Sequence, residues 1–316
     1  MLISLIVPCY NEEESIPLLY DALCEIRRSD AASDRTYEFI FVNDGSSDKT
    51  SQVIKDLASS DPGVRYIMFS RNFGKESAMY AGLQKAKGDY VAIMDADMQD
   101  PPSLLPEMIK ALDDDECDIV AARRVTREGE PKIRSLFARI FYRLINKMCD
   151  VEIADGARDF RLMKRKVVDA ILKVTERQRF SKGIFAWVGF RTKWIEHVNT
   201  PRAAGETKWS FWKLFRYAID GIVAFTIAPL RLASIAGFIC AAAGFIYMLY
   251  YFIRAIILQI YNEVPGYPSL LCFILFIGGL ILMALGLIGE YVGRTYIESK
   301  GRPIFISAEE SDGDNT

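Results

Sequence analysis

The sequence predicts an α/β protein in which a mostly parallel, Rossmann-like sheet is followed by membrane-associated helices. In the N-terminal part, short apolar runs typical of buried strands alternate with helical segments. Alternation at this spacing is typical of parallel sheets covered by helices on both faces. In the C-terminal part, residues 232–253 and 264–289 carry no charge. Each of these segments is long enough to span a hydrocarbon core of roughly 30 Å.

The predicted strands are apolar runs, most of which end in turn-forming residues. They cover residues 3–7, 38–42, 65–69, 90–94, 118–122 and 193–197. Helices are predicted up to about residue 28, after the turn at 43–48, over 76–86 and over 183–187. Segment 135–147 fits either core packing or the membrane surface, and 209–228 fits an interfacial helix.

Composition argues against several classes of protein. The formal net charge of −2 gives no case for nucleic acid binding. Six scattered cysteines without a Cys-x-x-Cys pair, and the single histidine His197, argue against a zinc site or a disulfide framework. Reduced thiols in a cytosol-facing domain are expected. Residues 1–10 read as a strand entering a turn, not as a signal peptide.

An acidic motif follows the predicted strand 90–94. Asp95, Asp97 and Gln99 come directly before Pro101 and Pro102, which end the strand. Carboxylate and amide oxygens suit a hard cation such as Mg²⁺ or Mn²⁺, which bridges substrate phosphates. The motif therefore predicts a metal site, with an Asp-rich turn as the alternative.

Other predicted strands also end in polar residues. Tyr10 and Glu12 follow the first strand, Asp44 the second, and Arg71 and Lys75 the third. Ligands of parallel sheets bind beyond the carboxyl ends of the strands. The convergence of these residues with the acidic motif predicts one binding site at that edge.

The distribution of basic residues predicts the membrane topology. Lys213, Arg216 and Arg231 precede the first apolar segment, whereas Arg294, Lys300 and Arg302 follow the second. The connection 258–263 has no Lys or Arg, so both flanks and the N-terminal domain are expected in the cytoplasm. The predicted division is a catalytic domain (1–208), juxtamembrane helices (209–231), two spans within 232–290 (about 232–255 and 266–289) and a cytoplasmic tail (291–316), disordered from 308.

Glycines in and after the second span allow a close approach of helices. They are residues 278, 279, 286, 289 and 293. Either a homo-oligomer or packing within one chain would use them.

The sequence resembles membrane-anchored family-two glycosyltransferases with the GT-A fold. The motifs that carry this resemblance are 7–13, 42–48, 71–75, 95–102 and 202–208. Within that family it is similar to the polyprenyl-phosphate glycosyltransferases, the group of dolichyl-phosphate mannose synthase. Segments 159–163, 266–271 and 289–298 most resemble bacterial bactoprenol (undecaprenyl-phosphate) glucosyltransferases of the GtrB type.

The resemblance implies transfer of glucose from UDP-glucose to undecaprenyl phosphate, with inversion, at the cytoplasmic face of the bacterial inner membrane. It also implies a divalent metal (Mg or Mn), a homo-oligomer, and functional partnership with a flippase and a downstream glycosyltransferase. Alternative donors are GDP-mannose, UDP-N-acetylglucosamine and a UDP-aminoarabinose derivative. A membrane nucleotide-sugar binding protein without turnover is a further alternative. A processive synthase is disfavoured, because such enzymes carry more spans and a Gln-x-x-Arg-Trp pattern that 178–180 does not match.

The resemblance also implies residue roles. The nucleotide would contact Pro8, Tyr10, Glu12, Asp44, Arg71, Lys75 and Asp95. The metal would be held by Asp97 and Gln99 with Asp95, and phosphates of the donor or acceptor would face Arg123, Arg202 and Lys208. Asp159, with Asp95 and Asp97, would be catalytic.

The chemistry leaves the role of Asp159 open. A phosphate monoester, with a second pKa near ~6, is already largely ionised at neutral pH and needs no strong base. Three roles for Asp159 stay open: it would act as a base, orient the acceptor phosphate or position an arginine. The alternative is a plain salt bridge to Arg158, Arg161 or Arg165.

Overall fold

A computed structural model describes residues 1–30, 34–124, 154, 156–197, 226, 228–253 and 267–311. The chain forms two compact units. The first contains Met1–Gly221 and Arg302–Thr316, and the second contains Ile222–Gly301. The chain thus leaves the first unit once and returns to it after the second.

Within the described residues, eight strands of the first unit form one sheet in the order β7-β5-β6-β4-β1-β2-β3-β8. The strands are β1 (Leu2–Cys9), β2 (Thr36–Asn43), β3 (Val64–Phe69), β4 (Tyr90–Ile93), β5 (Ile119–Arg124), β6 (Ala157–Lys164), β7 (Thr192–His197) and β8 (Ser307–Glu310). The central strands β1 and β2 are buried over almost their whole length, as expected when helices cover both faces of a parallel sheet.

Strand direction determines which residues share an edge of the sheet. Strands β1 to β4 are mutually parallel, and β6 runs antiparallel to both β4 and β5. Strand β5 therefore runs in the direction of β4, and β7 is parallel to β5. As a result, the carboxyl ends of β1 to β5 and β7 lie at the same edge as the beginning of β6.

Helices of the first unit lie between the strands in sequence. They are α1 (Ser15–Ser29), α2 (Thr50–Ser60), α3 (Lys75–Lys85), α4 (Leu105–Asp113, after a 3-10 turn at Pro102–Leu104), α5 (Arg165–Lys173) and α6 (Ser181–Trp187). One face of the sheet and helices α1 and α4 share a buried apolar core that includes Leu5, Phe39, Phe41 and Phe160. Burial of this apolar surface is the main force that holds the layers together.

The predicted fold class is confirmed, and two strands were missed. Strand β6 (Ala157–Lys164) lies in a segment rich in charged residues, where no apolar run marks a strand. The expectation of a disordered tail is wrong for residues 308–310, because β8 pairs antiparallel with β3. Lys55 and Lys85 bind Glu309 and Glu310, each at 2.6 Å. These contacts, distant in sequence, stabilise a strand that the sequence of the tail does not predict.

The second unit contains two long helices in its described residues, α7 (Ala228–Phe252) and α8 (Tyr267–Ser299). By length and composition each is able to cross a membrane, and none of either apolar window is buried in the chain. Helix α8 continues to Ser299, past the predicted end of the span at 289. The Tyr291 hydroxyl donates to the Thr226 carbonyl at 2.7 Å, near the start of α7. Segments 135–147 and 209–225 lie outside the described residues.

Candidate functional site

The acidic motif forms a tight turn directly after β4. Met98 has a φ of +54°, in the left-handed region. Its turn brings the Gln99 backbone N–H to 3.2 Å from Asp97 Oδ1. Asp95, Asp97 and Gln99 are half-buried at the carboxyl edge of the sheet, whereas the adjacent Ala96 and Asp100 are buried. The turn therefore presents two carboxylates and an amide on its accessible side.

Lys75 joins the acidic motif to Asp159. Lys75 is the first residue of α3, and its Nζ lies 2.6 Å from Asp95 Oδ1. The same ammonium forms an ion pair with the Asp159 carboxylate, which lies at the beginning of β6. Among the described residues Asp159 thus forms its ion pair with Lys75 and not with Arg158, Arg161 or Arg165, which were considered from the sequence.

The charge of Lys75 determines the ionisation of Asp159. Burial raises the pKa of Asp159, but the charges of Lys75, Lys182 and Arg161 outweigh burial and hold this pKa well below its ordinary value. Burial lowers the pKa of Lys75, whereas Asp159 and Asp95 raise it, and the net pKa lies well above its ordinary value. At neutral pH Asp159 is thus a carboxylate and Lys75 an ammonium.

Arg161, two residues after Asp159, is buried and carries a further positive charge near this carboxylate. Its guanidinium lies 3.6 Å from the centre of the Phe185 ring and donates to the carbonyls of Arg158 (2.8 Å) and Asp159 (3.3 Å). Burial lowers the pKa of Arg161 to about 10, although Asp159 and Glu76 raise it. The group remains protonated at neutral pH and supports the anionic form of Asp159.

A buried network adjoins the acidic motif on its other side. The Asp100 carboxylate accepts from Arg158 Nε at 2.9 Å and lies 3.0 Å from His197 Nε2. Arg158 also donates to Gln99 Oε1 at 3.2 Å. Burial raises the pKa of Asp100, but the hydrogen bond from His197 and the charge of Arg158 lower it below its ordinary value.

Asp44 connects the loops that follow β2 and β3. Its carboxylate accepts from the backbone N–H of Phe73 at 2.6 Å and of Gly74 at 2.9 Å. Burial raises the pKa of Asp44, and these two hydrogen bonds oppose the rise. Gly45 has a φ of +66°, and a Cβ there would lie 2.4 Å from the backbone carbon of Arg71. Only glycine permits this turn and this close approach of the two loops.

The loop after β1 is joined to the loop after β2. Asn11 Oδ1 accepts from the Ser47 backbone N–H at 2.9 Å, and the Glu12 N–H donates to Thr50 Oγ1 at 2.8 Å. Tyr10 precedes these residues and is 39% exposed. The Tyr10 side chain is therefore accessible in the loop that adjoins the Asp44 loop.

The structure brings most of the predicted site residues to one edge of the sheet. Lys75, Asp95 and Asp159 are in direct contact, and Asp97 and Gln99 lie on the same turn as Asp95. Residues on neighbouring loops or strand ends at this edge are Pro8, Tyr10, Glu12, Asp44, Arg71 and Arg123. Arg202 and Lys208 lie outside the described residues.

Sequence reasoning missed the roles of Arg158, Asp100 and His197. One signal in the sequence could have indicated His197: it is the last residue of a predicted strand, and the carboxyl ends of parallel strands lie at the edge where the site was predicted. Charged residues packed between strands were not distinguishable from surface charges. Only the pairing of β6 with β4 and β5 places Arg158 between Asp100 and Gln99.

The donor set fits a hard divalent cation. Asp95, Asp97 and Gln99 offer carboxylate and amide oxygens within one turn, and Asp95 already binds the ammonium of Lys75. The described residues contain no group of three His, Cys, Asp or Glu side chains placed for a metal. In a metal site at this turn the Gln99 amide would be the third donor, and ligand phosphates would complete the coordination.

The fold and the site define an α/β protein with a half-buried acidic turn at the carboxyl edge of a mostly parallel sheet. Residues 4–172 match the model of glycosyl transferase family 2, and 228–295 match the GtrB C-terminal hairpin. The chain belongs to glycosyl transferase family 2, and it is a glycosyltransferase.

Similar proteins match over almost the whole chain. The bactoprenol glucosyl transferase of Shigella phage SfV is 43% identical and covers 98% of this chain and 99% of its own. The prophage bactoprenol glucosyl transferase homolog of Escherichia coli K12 is 43% identical, covering 97% and 98%. Among solved structures, glucosyl-3-phosphoglycerate synthase from Mycobacterium tuberculosis, in complex with Mn²⁺, UDP-glucose and phosphoglyceric acid, is 21% identical. It covers 70% of this chain and 77% of its own, with a TM-score of 0.46.

Proposed function

We propose that this glycosyltransferase moves glucose from UDP-glucose to undecaprenyl phosphate at the cytoplasmic face of the bacterial inner membrane. The observation that carries the proposal is the match of both parts of the chain, the family-two domain and the C-terminal hairpin, to bactoprenol glucosyl transferases. In this proposal the family-two domain binds the soluble sugar donor, and the C-terminal hairpin brings the enzyme to its lipid acceptor.

The donor lies along the edge formed by the loops after β1 to β4. The residues that would contact the nucleotide are Pro8, Tyr10, Glu12, Asp44 and Arg71. Asp95, Asp97 and Gln99 would hold a divalent cation, Mg²⁺ or Mn²⁺. When bound, this cation stabilises the negative charge that develops on the leaving diphosphate.

The transfer is a single displacement with inversion. A phosphate oxygen of the lipid forms a bond to C1 of the sugar, while the bond from C1 to the diphosphate oxygen breaks. UDP leaves with the electron pair. Because the acceptor is largely ionised at neutral pH, no proton has to be removed from it.

The pKa of Asp159 argues against the role of general base. A carboxylate whose pKa lies well below its ordinary value is a poor proton acceptor at neutral pH. We propose that Asp159 instead orients Lys75 and the basic groups around the acceptor phosphate. Arg123, Arg202 and Lys208 are the proposed contacts of donor or acceptor phosphates.

The topology supports a hairpin that begins and ends on one side of the membrane. Residues 302–311 return to the first unit, where β8 pairs with β3. Both flanks of the hairpin therefore belong on the side of the catalytic domain, which agrees with the positive-inside bias. The proposed division is a catalytic domain to about 208, interfacial helices to 231 and two spans within 232–290.

A homo-oligomer in the membrane is part of the proposal. A Cβ added at Gly278, Gly279, Gly286, Gly289 or Gly293 would meet no atom within 4 Å among the described residues. These small residues leave room for a helix of a second copy. The lipid-linked sugar would then pass to a flippase and a downstream glycosyltransferase.

The test is a transfer assay on the full chain in detergent with undecaprenyl phosphate and Mg²⁺ or Mn²⁺. UDP-glucose, UDP-N-acetylglucosamine, GDP-mannose and a UDP-aminoarabinose derivative are supplied in turn, and the lipid product is identified by mass spectrometry. We expect a hexosyl lipid from UDP-glucose that is lost in Asp97→Asn. Asp21→Asn, an exposed substitution on α1, is the matched control and should retain activity.

Product from another donor alone would replace glucose as the transferred sugar. If no donor gives a lipid product while the chain still binds nucleotide, polyprenyl phosphate is not the acceptor. Full activity of Asp97→Asn would remove the proposed metal site.

A further inference from the structure

His197 is the single histidine of the chain and lies at the last position of β7. It is 8% exposed, and its Nε2 lies 3.0 Å from Asp100 Oδ1. A carboxylate only accepts hydrogen bonds, so Nε2 carries the proton that is donated. The buried imidazole of His197 thus donates a hydrogen bond to Asp100, a carboxylate of the acidic motif.

Asp100 is the most buried member of this network, with a side chain only 1% exposed. A buried carboxylate requires hydrogen-bonding partners, because its loss of hydration is otherwise not compensated. Its two partners come from different strands: Arg158 from the beginning of β6 and His197 from the end of β7. Asp100 therefore holds the turn after β4 against two other strands.

Arg158 transmits this arrangement to the proposed metal ligand. The guanidinium is planar and presents its N–H groups in a fixed geometry. While Nε donates to Asp100, the terminal nitrogen donates to Gln99 Oε1 at 3.2 Å. The amide oxygen has two lone pairs, so one remains available to a cation.

We propose that His197 is a positioning residue for the metal-binding amide: it holds Asp100, Asp100 orients Arg158, and Arg158 orients Gln99. The inference rests on the proposed metal site. Partners in this outer position typically alter metal affinity by about 10- to 100-fold when they are removed.

The test measures Mn²⁺ binding to the full chain in detergent, without a polyhistidine tag and with UDP present, from the electron paramagnetic resonance signal of free Mn²⁺. We expect His197→Phe to weaken Mn²⁺ binding about 10-fold. His197→Gln keeps an N–H donor and should restore most of the affinity. Glu196→Gln changes the exposed neighbour on the same strand and should bind as the wild type does.

Thermal unfolding of each variant separates positioning from a purely structural role. Weaker Mn²⁺ binding in His197→Phe with rescue by His197→Gln, at similar unfolding temperatures, is the expected result. If His197→Phe does not fold, Arg158→Lys replaces it, since this variant keeps the charge but loses the fork geometry. Mn²⁺ affinity equal to that of the wild type in the folded variants would overturn the inference and leave the proposed function intact. A wild-type chain that binds no Mn²⁺ would overturn the metal site and the inference with it.

Discussion

Asp159 is largely shielded from solvent yet ionised because Lys75 lies beside it. Burial alone favours the neutral carboxyl, and a cation in contact with it favours the anion. In this site the cation prevails, and the pKa of Asp159 falls. The same ammonium contacts Asp95, so one side chain neutralises charge on the proposed donor side and beside Asp159.

Replacement of Lys75 should alter the pH dependence of transfer. In the wild type, Asp159 stays anionic as the pH falls towards 5, so its protonation causes no loss of activity there. In Lys75→Met only burial and Arg161 with Lys182 remain, so the pKa of Asp159 rises. We expect the acidic limb of the kcat profile to move to higher pH, and kcat at pH 7 to fall about 100-fold.

Lys75→Arg keeps the positive charge and is the control for this effect. Its acidic limb should stay close to that of the wild type, whatever its absolute kcat. A Lys75→Met profile that superimposes on the wild-type profile would show that Lys75 does not control the ionisation of Asp159.

At the scale of structural elements, the site is a set of loops that stabilise each other. The Asp44 carboxylate caps two backbone amides of the loop after β3, and Gly45 allows the two backbones to touch. The residue before β8 adds a further constraint, since the Ser70 N–H, just before Arg71, donates to the Ile306 carbonyl at 3.0 Å. The site thus depends on an edge strand that is distant in sequence.

Gly45→Ala should be more damaging than an equivalent change elsewhere. The left-handed backbone alone costs about 1–2 kcal/mol for a residue with a Cβ, and here the Cβ would also lie 2.4 Å from Arg71. Gly189→Ala is the matched control, because Gly189 has a φ of +73° but its nearest atom is 3.9 Å away. We expect Gly189→Ala to lower the thermal midpoint by about 3–6 °C and Gly45→Ala to lower it by at least twice as much. Equal shifts would show that the two loops do not pack tightly.

The segment that leads into β8 should contribute measurable stability through Phe305. Its ring stacks on Phe69 with centroids 4.9 Å apart. Because Phe305 is half-buried, Phe305→Ala should cost about 1–2 kcal/mol and lower the thermal midpoint by roughly 4 °C. Ile306→Ala is the control: its side chain is 53% exposed and its carbonyl bond to Ser70 remains. A midpoint for Phe305→Ala equal to that of the control would show that β8 is not docked on β3.

At the scale of the whole molecule, the chain divides its apolar residues between two environments. The first unit buries them in a core, whereas the helices of the second unit expose side chains such as Phe238, Ile246 and Leu282. Exposed apolar surface of this extent is explained by lipid as its solvent. After this hairpin the chain returns to the first unit, where β8 pairs with β3.

An arginine in the middle of α8 should disfavour membrane insertion. Leu282→Arg places a charge at a position that is 71% exposed, and at the centre of a span such a charge costs about 2.5–3.5 kcal/mol. The apparent insertion free energy is measured by glycosylation mapping of the α8 segment. Val292→Arg, also exposed and close to the native Arg294, should cost less than about 1 kcal/mol. Similar costs at both positions would place the span further towards Ser299 than proposed.

Much of this architecture was accessible from local sequence patterns. Apolar runs such as 38–42 and 90–94 predicted buried strands, because short apolar segments between turns are buried most readily as strands. The absence of charge over 232–253 predicted a span, because an uncharged segment of this length is long enough to cross a bilayer. The polar residues at the ends of these strands, Asp44 and Asp95 among them, then predicted an edge site. These are short-range properties, which the order of residues states directly.

Tertiary structure alone decided the partners of the charged groups and the strands without an apolar pattern. Strand β6 forms although its sequence is largely charged, because it pairs with β4 and β5 and places Arg158 and Asp159 at the site edge. Strand β8 is stabilised by ion pairs from Lys55 and Lys85, and Phe305, which precedes it, stacks on Phe69. Sequence determined the candidate site residues, and the fold determined that Lys75 pairs with Asp159 and His197 with Asp100. The reason is that an ion pair or hydrogen bond depends on distances of a few ångströms between residues far apart in the chain, and local patterns do not encode such distances.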